Sequence, residues 1–264
     1  MFYHTELLND LFFKYEIFTL SHGSREDKLG DVFEDYCVEI LNNPNYLEKA
    51  KHHCLNIENT EEYIFNSILS RLKINANEIT FINASRDVEH RYTGGNSKTD
   101  VIADIIIDSH NKIILPISVK QTTASKVSMA EFDVETIINE IGIDNTELIH
   151  LLYKHQADAS AINFTPYEKD LLIKLLIPYR EKFVRWVITG SATLTDDLKF
   201  PQLLLKFKID KRDNILDINC YTPDEYISLL IYDKYGNARK GGFGTGLSWT
   251  YATGSKGRKI QFKG

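Results

Sequence analysis

Apolar residues recur with helical spacing along the first third of the chain. Residues 28–41 carry an apolar stripe at 3.6-residue intervals, which predicts an amphipathic helix. Residues 60–72 show a similar pattern behind an acidic first turn, which suits the positive end of a helix. Further helices are predicted over residues 2–18, 129–141 and 146–155, and a polar connection over residues 42–59.

Runs of β-branched and aromatic residues predict strands in the middle of the chain. Two neighbouring runs, 101–107 and 113–119, are separated by turn-forming residues 109–112 and predict a hairpin. A second hairpin is predicted around Lys211–Asn214, which have turn chemistry. Strands are predicted over residues 79–84, 183–189, 203–209 and 215–220.

Two capping boxes mark helix starts in the second half of the chain. Thr165 and Thr222 are each followed by proline and, three residues on, by glutamate. The helices that they begin are predicted to run to about residues 177 and 230. Helices and strands are mixed throughout, with no linker or repeat, so an α/β fold in one domain is expected.

Composition excludes several classes of protein. The 264 residues are 43% hydrophobic and 26% charged, as in ordinary globular domains, and no apolar run reaches the length of a membrane span. The N-terminal residues lack the basic and apolar regions of a signal peptide. The three cysteines are scattered, which indicates reduced thiols in a cytoplasm rather than a zinc site.

The net charge of −6 conceals a strong asymmetry. Residues 234–264 contain seven basic residues and no acidic one, so the rest of the chain carries −13. A basic segment of this kind suits contact with a polyanion such as nucleic acid. A solvated tail is the alternative, although the segment is rich in glycine and aromatic residues.

A carboxylate and an ammonium are predicted to meet at the ends of the first hairpin. Asp100 precedes the first strand and Lys120 ends the second, a pairing that suits a divalent cation and a water that attacks phosphate. The two side chains share a face only if the loop is odd in length or a bulge intervenes, and Pro116 fits a bulge. The alternative is an ordinary surface salt bridge.

Two other signals have competing interpretations. Glu34 lies beside the apolar stripe of its helix, where it is either a solvated glutamate or an acid directed at the sheet end. Asp100 and Asp104 could form the carboxylate pair of a glycosidase, which would act without metal.

The glycine-rich segment 242–246 follows no predicted strand and lacks the spacing of a dinucleotide-binding loop.

Longer motifs resemble a known family. A pattern of three features resembles the active-site motif of the PD-(D/E)xK nuclease superfamily: the sheet-end acid, the S-x-K of the next strand and the helix glutamate. Longer sequence motifs resemble those of type II restriction endonucleases. These longer motifs lie at residues 27–34 (D-K-L-G-x-x-x-E), 94–100 (G-G-N-S-K-T-D), 126–137, 154–161, 164–166, 178–186, 242–256 and 261–264.

This resemblance implies a fold and an activity. The expected fold is a central mixed β-sheet flanked by helices, in a single endonuclease domain over 1–264. A catalytic core would span about 1–190, and a C-terminal DNA-reading lobe with its basic tail about 191–264. The implied activity is Mg²⁺-dependent cleavage of double-stranded DNA at a short palindrome, CCGG, leaving 5′-phosphate ends. The implied protein is a monomer in the bacterial cytoplasm, with a dimer on DNA left open.

The resemblance also assigns catalytic roles by motif position. Asp100 and Glu34 would bind the metal, and Lys120 would position the attacking water. Ser118 stands where relatives have asparagine, aspartate or glutamate, which implies a water-mediated second metal contact. The alternative that this departure supports is a sequence-specific DNA-binding protein of the same fold with weak or no cleavage.

Base-reading roles fall on the C-terminal half. The tail would supply phosphate contacts through Lys256, Arg258 and Lys259. Lysine and glutamine are side chains that read purine edges, lysine at guanine and glutamine at adenine. At one of the implied base-reading positions, residue 253, this chain has threonine where the family has serine, and the threonine adds a methyl group. The implied base-reading residues are Ser128, Thr250, Thr253 (the replacement), Gln261 and Lys263.

Overall fold

A computed structural model describes residues 5–89, 97–108, 111–252 and 258–264. The chain forms two compact units. The first unit consists of residues 1–125 and 196–222, and the second unit of residues 126–195 and 223–264. The expected division near residue 190 follows chain order, whereas these units interleave along the chain.

Helices and strands follow one another along the whole described chain. The helices are α1 (Glu6–Lys14), α2 (His22–Asn42), α3 (Pro44–Lys51), α4 (Thr60–Leu72), α5 (Val134–Ile141), α6 (Thr146–Ala157), α7 (Pro166–Leu176), α8 (Arg180–Thr189) and α9 (Pro223–Ile231). The strands are β1 (Phe81–Ser85), β2 (Val101–Ile106), β3 (Lys112–Thr122), β4 (Ser128–Phe132), β5 (Leu203–Ile209), β6 (Ile215–Tyr221), β7 (Ser248–Thr250) and β8 (Ile260–Lys263).

The first unit is built on a mixed sheet of order β1-β2-β3-β5-β6. Strands β3 and β5 are parallel, and the other neighbours are antiparallel. Helix α2 buries its apolar stripe on this sheet, where the rings of Phe33 and Phe207 lie 4.7 Å apart. The mixed sheet with flanking helices confirms the predicted α/β class.

The second unit contains a three-stranded antiparallel sheet of order β4-β8-β7. One face of that sheet carries aromatic side chains. Phe132 stacks on Trp186 of α8 with ring centroids 3.8 Å apart, and Trp249 meets Phe262 at 5.1 Å. Because aromatic burial is strongly favourable, these contacts fix the sheet on its helices.

A tight glycine turn leads into β7. Gly242 and Gly246 have φ of +58° and +73°, a region that other residues rarely adopt. A Cβ at Gly246 would lie 1.8 Å from the carbonyl oxygen of Leu230, so glycine is also required sterically. The segment that resembled a dinucleotide loop therefore has a structural role here.

The structure corrects four predictions of secondary structure. Residues 183–189, predicted as a strand, lie in α8, because a helix buried on most sides also shows a continuous apolar run. Residues 128–132 form β4 before α5 begins, and the polar connection contains α3, whose N-cap is Asn43. The basic tail contains two strands, β7 and β8, that were not predicted.

Other predicted elements are confirmed. The helix over 60–72, the strand over 203–209 and the capping box at Thr165 are all present. The hairpin turn around Lys211–Asn214 connects β5 to β6. In the described chain, no helix combines the length and apolar character that a membrane crossing requires.

Candidate active site and candidate nucleic-acid interface

The register of β2 and β3 brings Asp100, Ser118 and Lys120 together. Val101 opposes Ile117, and the backbone N–H of Asp100 donates to the carbonyl of Ile117 at 2.9 Å. Extending this register by one residue sets Asp100 opposite Ser118. Because side chains alternate along a strand, Lys120 shares the face of Ser118 and therefore that of Asp100.

The loop length satisfies the condition set by the sequence. Ile106 pairs with Lys112, which leaves the five residues 107–111 between the strands, an odd number. Pro116 pairs with Ile102 without a shift in register, so no bulge occurs at the proline. Of the two ways in which Asp100 and Lys120 could share a face, the structure shows the odd loop.

One oxygen of Asp100 collects three donors. Its Oδ2 accepts from the Lys120 ammonium at 2.7 Å, from the Val119 backbone N–H at 2.8 Å and from the Ser118 hydroxyl at 3.0 Å. The lysine also donates to the Val119 carbonyl at 3.1 Å. Both charged side chains stay partly exposed, 20% for Asp100 and 26% for Lys120, so a substrate can reach them.

Glu34 of α2 is electrostatically coupled to this group. Burial, followed by the negative charge of Asp100, raises the pKa of Glu34 to about 7, against the opposing effects of Arg86 and Lys120. A carboxylate whose pKa is raised by burial and by a neighbouring negative charge is a common feature of functional sites. The solvated glutamate considered as an alternative is therefore not what the structure shows.

Arg86 is a site residue that sequence reasoning missed. Its guanidinium lies 2.8 Å from Glu34 Oε2, pairs with Asp31, and reaches Asp35 Oδ1 at 3.1 Å and the Tyr15 hydroxyl at 3.0 Å. Burial alone would lower the pKa of Arg86, but the hydrogen bond to Asp31 and the charge of Glu34 raise it. Asp31, Glu34 and Asp35 are close in sequence, and that acidic spacing was the available signal.

Lys98 is a second residue that the motif analysis passed over. It lies two residues before Asp100, and its backbone N–H donates to the Lys199 carbonyl at 2.9 Å. Burial, followed by the positive charge of Lys120, lowers the pKa of the Lys98 ammonium to about 7. The position lies inside the motif 94–100, whose residues 94–96 fall outside the described part of the chain.

The donors near Asp100 fit a hard divalent cation. The described residues contain no cluster of three His, Cys, Asp or Glu side chains of the kind that encloses a metal. Asp100 and Glu34 provide two carboxylates, and a bound cation would offset the negative charge of Asp100 that, after burial, raises the pKa of Glu34. Mg²⁺ accepts such a small set, because it keeps several waters and takes substrate phosphate oxygens.

Polar side chains line one face of the three-stranded sheet in the second unit. Gln261 opposes Glu131 on β4 and Thr250 on β7, and Lys263 opposes Ser128 and Ser248. Opposed residues share a face, as do residues two apart on one strand. The six polar residues Ser128, Glu131, Ser248, Thr250, Gln261 and Lys263 therefore lie on the same side, called here the polar face. The aromatic residues occupy the other side.

Hydrogen bonds connect three members of the polar face. Gln261 Nε2 donates to Glu131 Oε1 at 2.7 Å. The Thr250 hydroxyl lies 3.4 Å from Gln261 Oε1 and 3.3 Å from the Gln261 carbonyl oxygen. The amide of Gln261 is thus held from both ends, with its nitrogen toward the glutamate and its oxygen toward the threonine.

The structure brings together four of the five predicted base-reading residues. Ser128, Thr250, Gln261 and Lys263 all belong to the polar face, and Glu131 and Ser248 join them without having been predicted. Arg258 and Lys259 are exposed just before β8. Two predicted contacts, Thr253 and Lys256, lie outside the described residues.

Comparisons with known proteins agree on one family. A family model described as "Restriction endonuclease MspI" matches residues 16–264. The chain is 38% identical over 265 residues to the type II restriction enzyme MspI of Moraxella sp, which covers 98% of this chain and 99% of that enzyme. It is 27% identical over 258 residues to the type II restriction enzyme BsuFI of Bacillus subtilis, covering 93% of this chain and 61% of the relative. The crystal structure of MspI in complex with its cognate DNA superposes with a TM-score of 0.86 at 38% identity, covering 98% and 99% of the two chains.

Proposed function

The chain belongs to the MspI restriction endonuclease family, and on that premise we propose that it hydrolyses double-stranded DNA at a CCGG palindrome with Mg²⁺, leaving 5′-phosphate ends. The observation that carries the proposal is the convergence of Lys120 and Ser118 on Asp100 Oδ2. An ordinary surface salt bridge does not account for the third donor, the Val119 backbone N–H, or for the coupled carboxylate of Glu34.

Asp100 and Glu34 would hold the metal. When bound, Mg²⁺ would lower the pKa of a water and offset the charge that accumulates on the phosphate. The Ser118 hydroxyl and the Val119 N–H hold the Asp100 carboxylate in place, since both donate to the same oxygen. Ser118 is thereby a positioning residue in this proposal, and its hydroxyl replaces the amide or acid of relatives.

Lys120 would act on the attacking water. Its ammonium is anchored by Asp100 and by the Val119 carbonyl, so its direction is fixed before substrate binds. A pre-oriented ammonium can orient the water that attacks the phosphate, and it stabilises the negative charge that develops there. Attack of this water on phosphorus would break the bond to the 3′-oxygen, which leaves as a 3′-hydroxyl, so the phosphate would stay on the 5′ end.

The polar face would read base edges. Gln261, Lys263, Ser128 and Thr250 present donors and acceptors of the kind that the major groove discriminates, and Thr253 is proposed to join them. Lys256, Arg258 and Lys259 would contact phosphates, which adds affinity without choice of sequence. We propose one endonuclease domain in which the first unit cuts and the second unit reads.

Three further properties belong to the same proposal. The enzyme would act in the bacterial cytoplasm, where DNA is accessible and the free cysteines Cys37, Cys54 and Cys220 would stay reduced. It would serve in a restriction–modification system. It would be a monomer in solution, and a light-scattering mass measured with and without DNA tests whether two chains assemble on the site.

Digestion of a plasmid of known sequence tests the function. We expect discrete fragments with Mg²⁺ and none with EDTA, and sequencing of the fragment ends identifies the site and the 5′-phosphates. Lys120→Ala is the inactive variant, and Lys112→Ala, at the other end of the same strand and half exposed, is its matched control. A gel shift without fragments would instead support a binding protein that no longer cuts.

A further inference from the structure

Glu131 is the acidic member of the polar face. It lies on β4 directly opposite Gln261, and its Oε1 accepts from Gln261 Nε2 at 2.7 Å. Glu131 is exposed, and its bond uses only one of the two carboxylate oxygens. The partner is a neutral amide, so this bond does not neutralise the negative charge.

A carboxylate is unfavourable on a surface that approaches phosphates. Proteins bind DNA by neutralising its charge with lysine and arginine, and each added negative charge opposes that. Glutamate is nevertheless used in the major groove for one purpose, because it accepts a hydrogen bond from the amino group of cytosine. Its position among base-reading candidates, rather than on an outer helix, agrees with that use.

The pair formed by Glu131 and Gln261 offers a different pattern of hydrogen-bond donors and acceptors from that of a glutamine alone. A free glutamine amide presents a donor beside an acceptor and matches adenine. With its oxygen turned toward Thr250 and its nitrogen toward Glu131, the amide places a donor next to a carboxylate acceptor. A C·G pair offers the complement of this arrangement, the cytosine N4 amino group beside guanine O6.

We propose that Glu131 is a specificity-determining residue, which accepts a hydrogen bond from a cytosine amino group while Gln261 donates to the O6 of the paired guanine. This inference rests on the proposed function, and it names the base pair that the two side chains read together. Without Glu131, the Gln261 amide keeps only its 3.4 Å contact with the Thr250 hydroxyl, so it can turn and pair with adenine instead. Glu131 thus prevents Gln261 from accepting an A·T pair.

The test measures binding rather than cleavage. Fluorescence anisotropy in EDTA gives the Kd of labelled duplexes that contain CCGG, TCGA or CTAG, so that each C·G pair is replaced by T·A in turn. The variants are Glu131→Ala and Glu131→Asp, which keeps the charge but shortens the side chain. Glu140→Ala, an exposed glutamate on α5, is the matched control.

For the wild type and for Glu140→Ala we expect preference for CCGG over both substituted duplexes. Glu131→Ala should lose about tenfold or more of that preference at one of the two pairs and keep it at the other. Its binding to a random duplex should stay equal or tighten, because a negative charge is removed. Glu131→Asp should resemble Glu131→Ala, since charge without reach does not restore the bond.

A base analogue isolates the contact itself. Replacing cytosine by 2-pyrimidinone removes only the 4-amino group, so it should weaken binding by the wild type and leave Glu131→Ala binding unaffected at that position. Preference unchanged in Glu131→Ala, or equal weakening on every duplex, overturns the inference. A wild type that prefers another sequence overturns the CCGG proposal instead, and the inference then requires that Glu131→Ala lose preference for a C·G pair in that sequence.

Discussion

The guanidinium of Arg86 lies 2.8 Å from the carboxylate of Glu34, the helix acid whose charge is coupled to Asp100. Arg86 follows β1, and Glu34 lies in the middle of α2, so the contact fixes this part of the helix against the end of the sheet. The same guanidinium also binds Asp31 and Asp35. A single cation thus restrains three carboxylates on one helix.

Replacing Arg86 with glutamine should destabilise the protein by about 1–3 kcal/mol. The loss leaves Glu34 without its cation, and leaves Asp31 and Asp35 with only the more exposed Lys28 and Lys14. The 29% exposure of the Arg86 side chain keeps the cost below that of a fully buried pair. Urea denaturation without divalent cations measures this change. Arg71→Gln, which removes an arginine on α4 outside the site, is the comparison, and equal losses in the two variants would contradict the assignment.

Removing the Lys120 ammonium should lower the cleavage rate by about 10²-fold or more, the range expected for loss of a group that acts on a reacting water. Binding to the same duplex in EDTA should change less than tenfold, because the lysine is anchored to Asp100 rather than committed to the bases. Single-turnover digestion gives the rate. Normal cleavage by Lys120→Ala would refute the assigned site, and Lys112→Ala should cut at the wild-type rate.

The contribution of Glu34 to stability without divalent cations should fall as the pH rises from about 4.5 to 7. Because the pKa of Glu34 is raised to about 7 in the folded protein, the folded state holds a proton that the unfolded state releases. The stabilisation is complete below the unfolded pKa and is lost through the folded pKa. At 1.36 kcal/mol per pKa unit, the change is about 2–3 kcal/mol.

Denaturation of Glu34→Gln in the same buffers isolates this contribution. The variant cannot ionise at position 34, so its stability should lack this decline. The contribution of His155, whose pKa burial lowers to about 4, rises with pH over part of the same window in both proteins. Other groups titrate equally in both proteins, and the difference between the two curves therefore reports Glu34. Parallel curves would show that Glu34 titrates normally in the folded state.

Lys263→Ala and Lys259→Ala should differ in what they damage. Lys263 belongs to the polar face, so its loss should reduce the preference for the recognised sequence and leave the salt dependence of binding nearly unchanged. Lys259, exposed before β8, should instead reduce the slope of log K against log salt by about 0.9. Anisotropy titrations at several salt concentrations measure both. If Lys263→Ala reduced the salt slope and Lys259→Ala reduced the sequence preference, Lys263 would be the phosphate contact and Lys259 the base-reading residue.

Gly246→Ala should destabilise the protein by about 1–3 kcal/mol or more, because the residue has a φ of +73° and its new Cβ would lie 1.8 Å from the Leu230 carbonyl oxygen. The displaced turn leads into β7, so DNA binding should weaken as well. Gly241→Ala is the control, since nothing lies within 4 Å of a Cβ at that position. Thermal denaturation of both variants measures the difference, and equal melting temperatures for Gly246→Ala and Gly241→Ala would contradict the prediction.

The sequence predicted best where a local rule is strong. The stripe of α2, the capping box of α7 and the strand over 203–209 follow from spacing and end chemistry within a dozen residues. The strand prediction for residues 183–189 was wrong because a buried helix and a buried strand present the same apolar run. Strands β7 and β8 were not predicted because each has four residues or fewer and therefore little periodic signal.

The residues proposed as catalytic were named from the sequence, but their arrangement was not. Only the family resemblance favoured Glu34, whereas the hairpin pattern indicated Asp100 and Lys120 and left open whether these two share a face. The five-residue loop resolved that question, since a shift of one residue would have turned Lys120 to the other side. The sequence shows the acidic spacing of Asp31, Glu34 and Asp35 but does not identify their cation, because Arg86 lies more than fifty residues later in the chain.

By itself the sequence determined which side chains were available: an acid, a serine and a lysine around a hairpin, a helix glutamate, and a basic tail with glutamine and lysine at its end. Tertiary structure alone decided which of them meet. Strand pairing gave Gln261 its partner Glu131 from 130 residues away, and packing lowered the pKa of Lys98 and raised that of Glu34. Side-chain chemistry is a property of each residue, whereas register, burial and electrostatic coupling arise only when distant segments pack together.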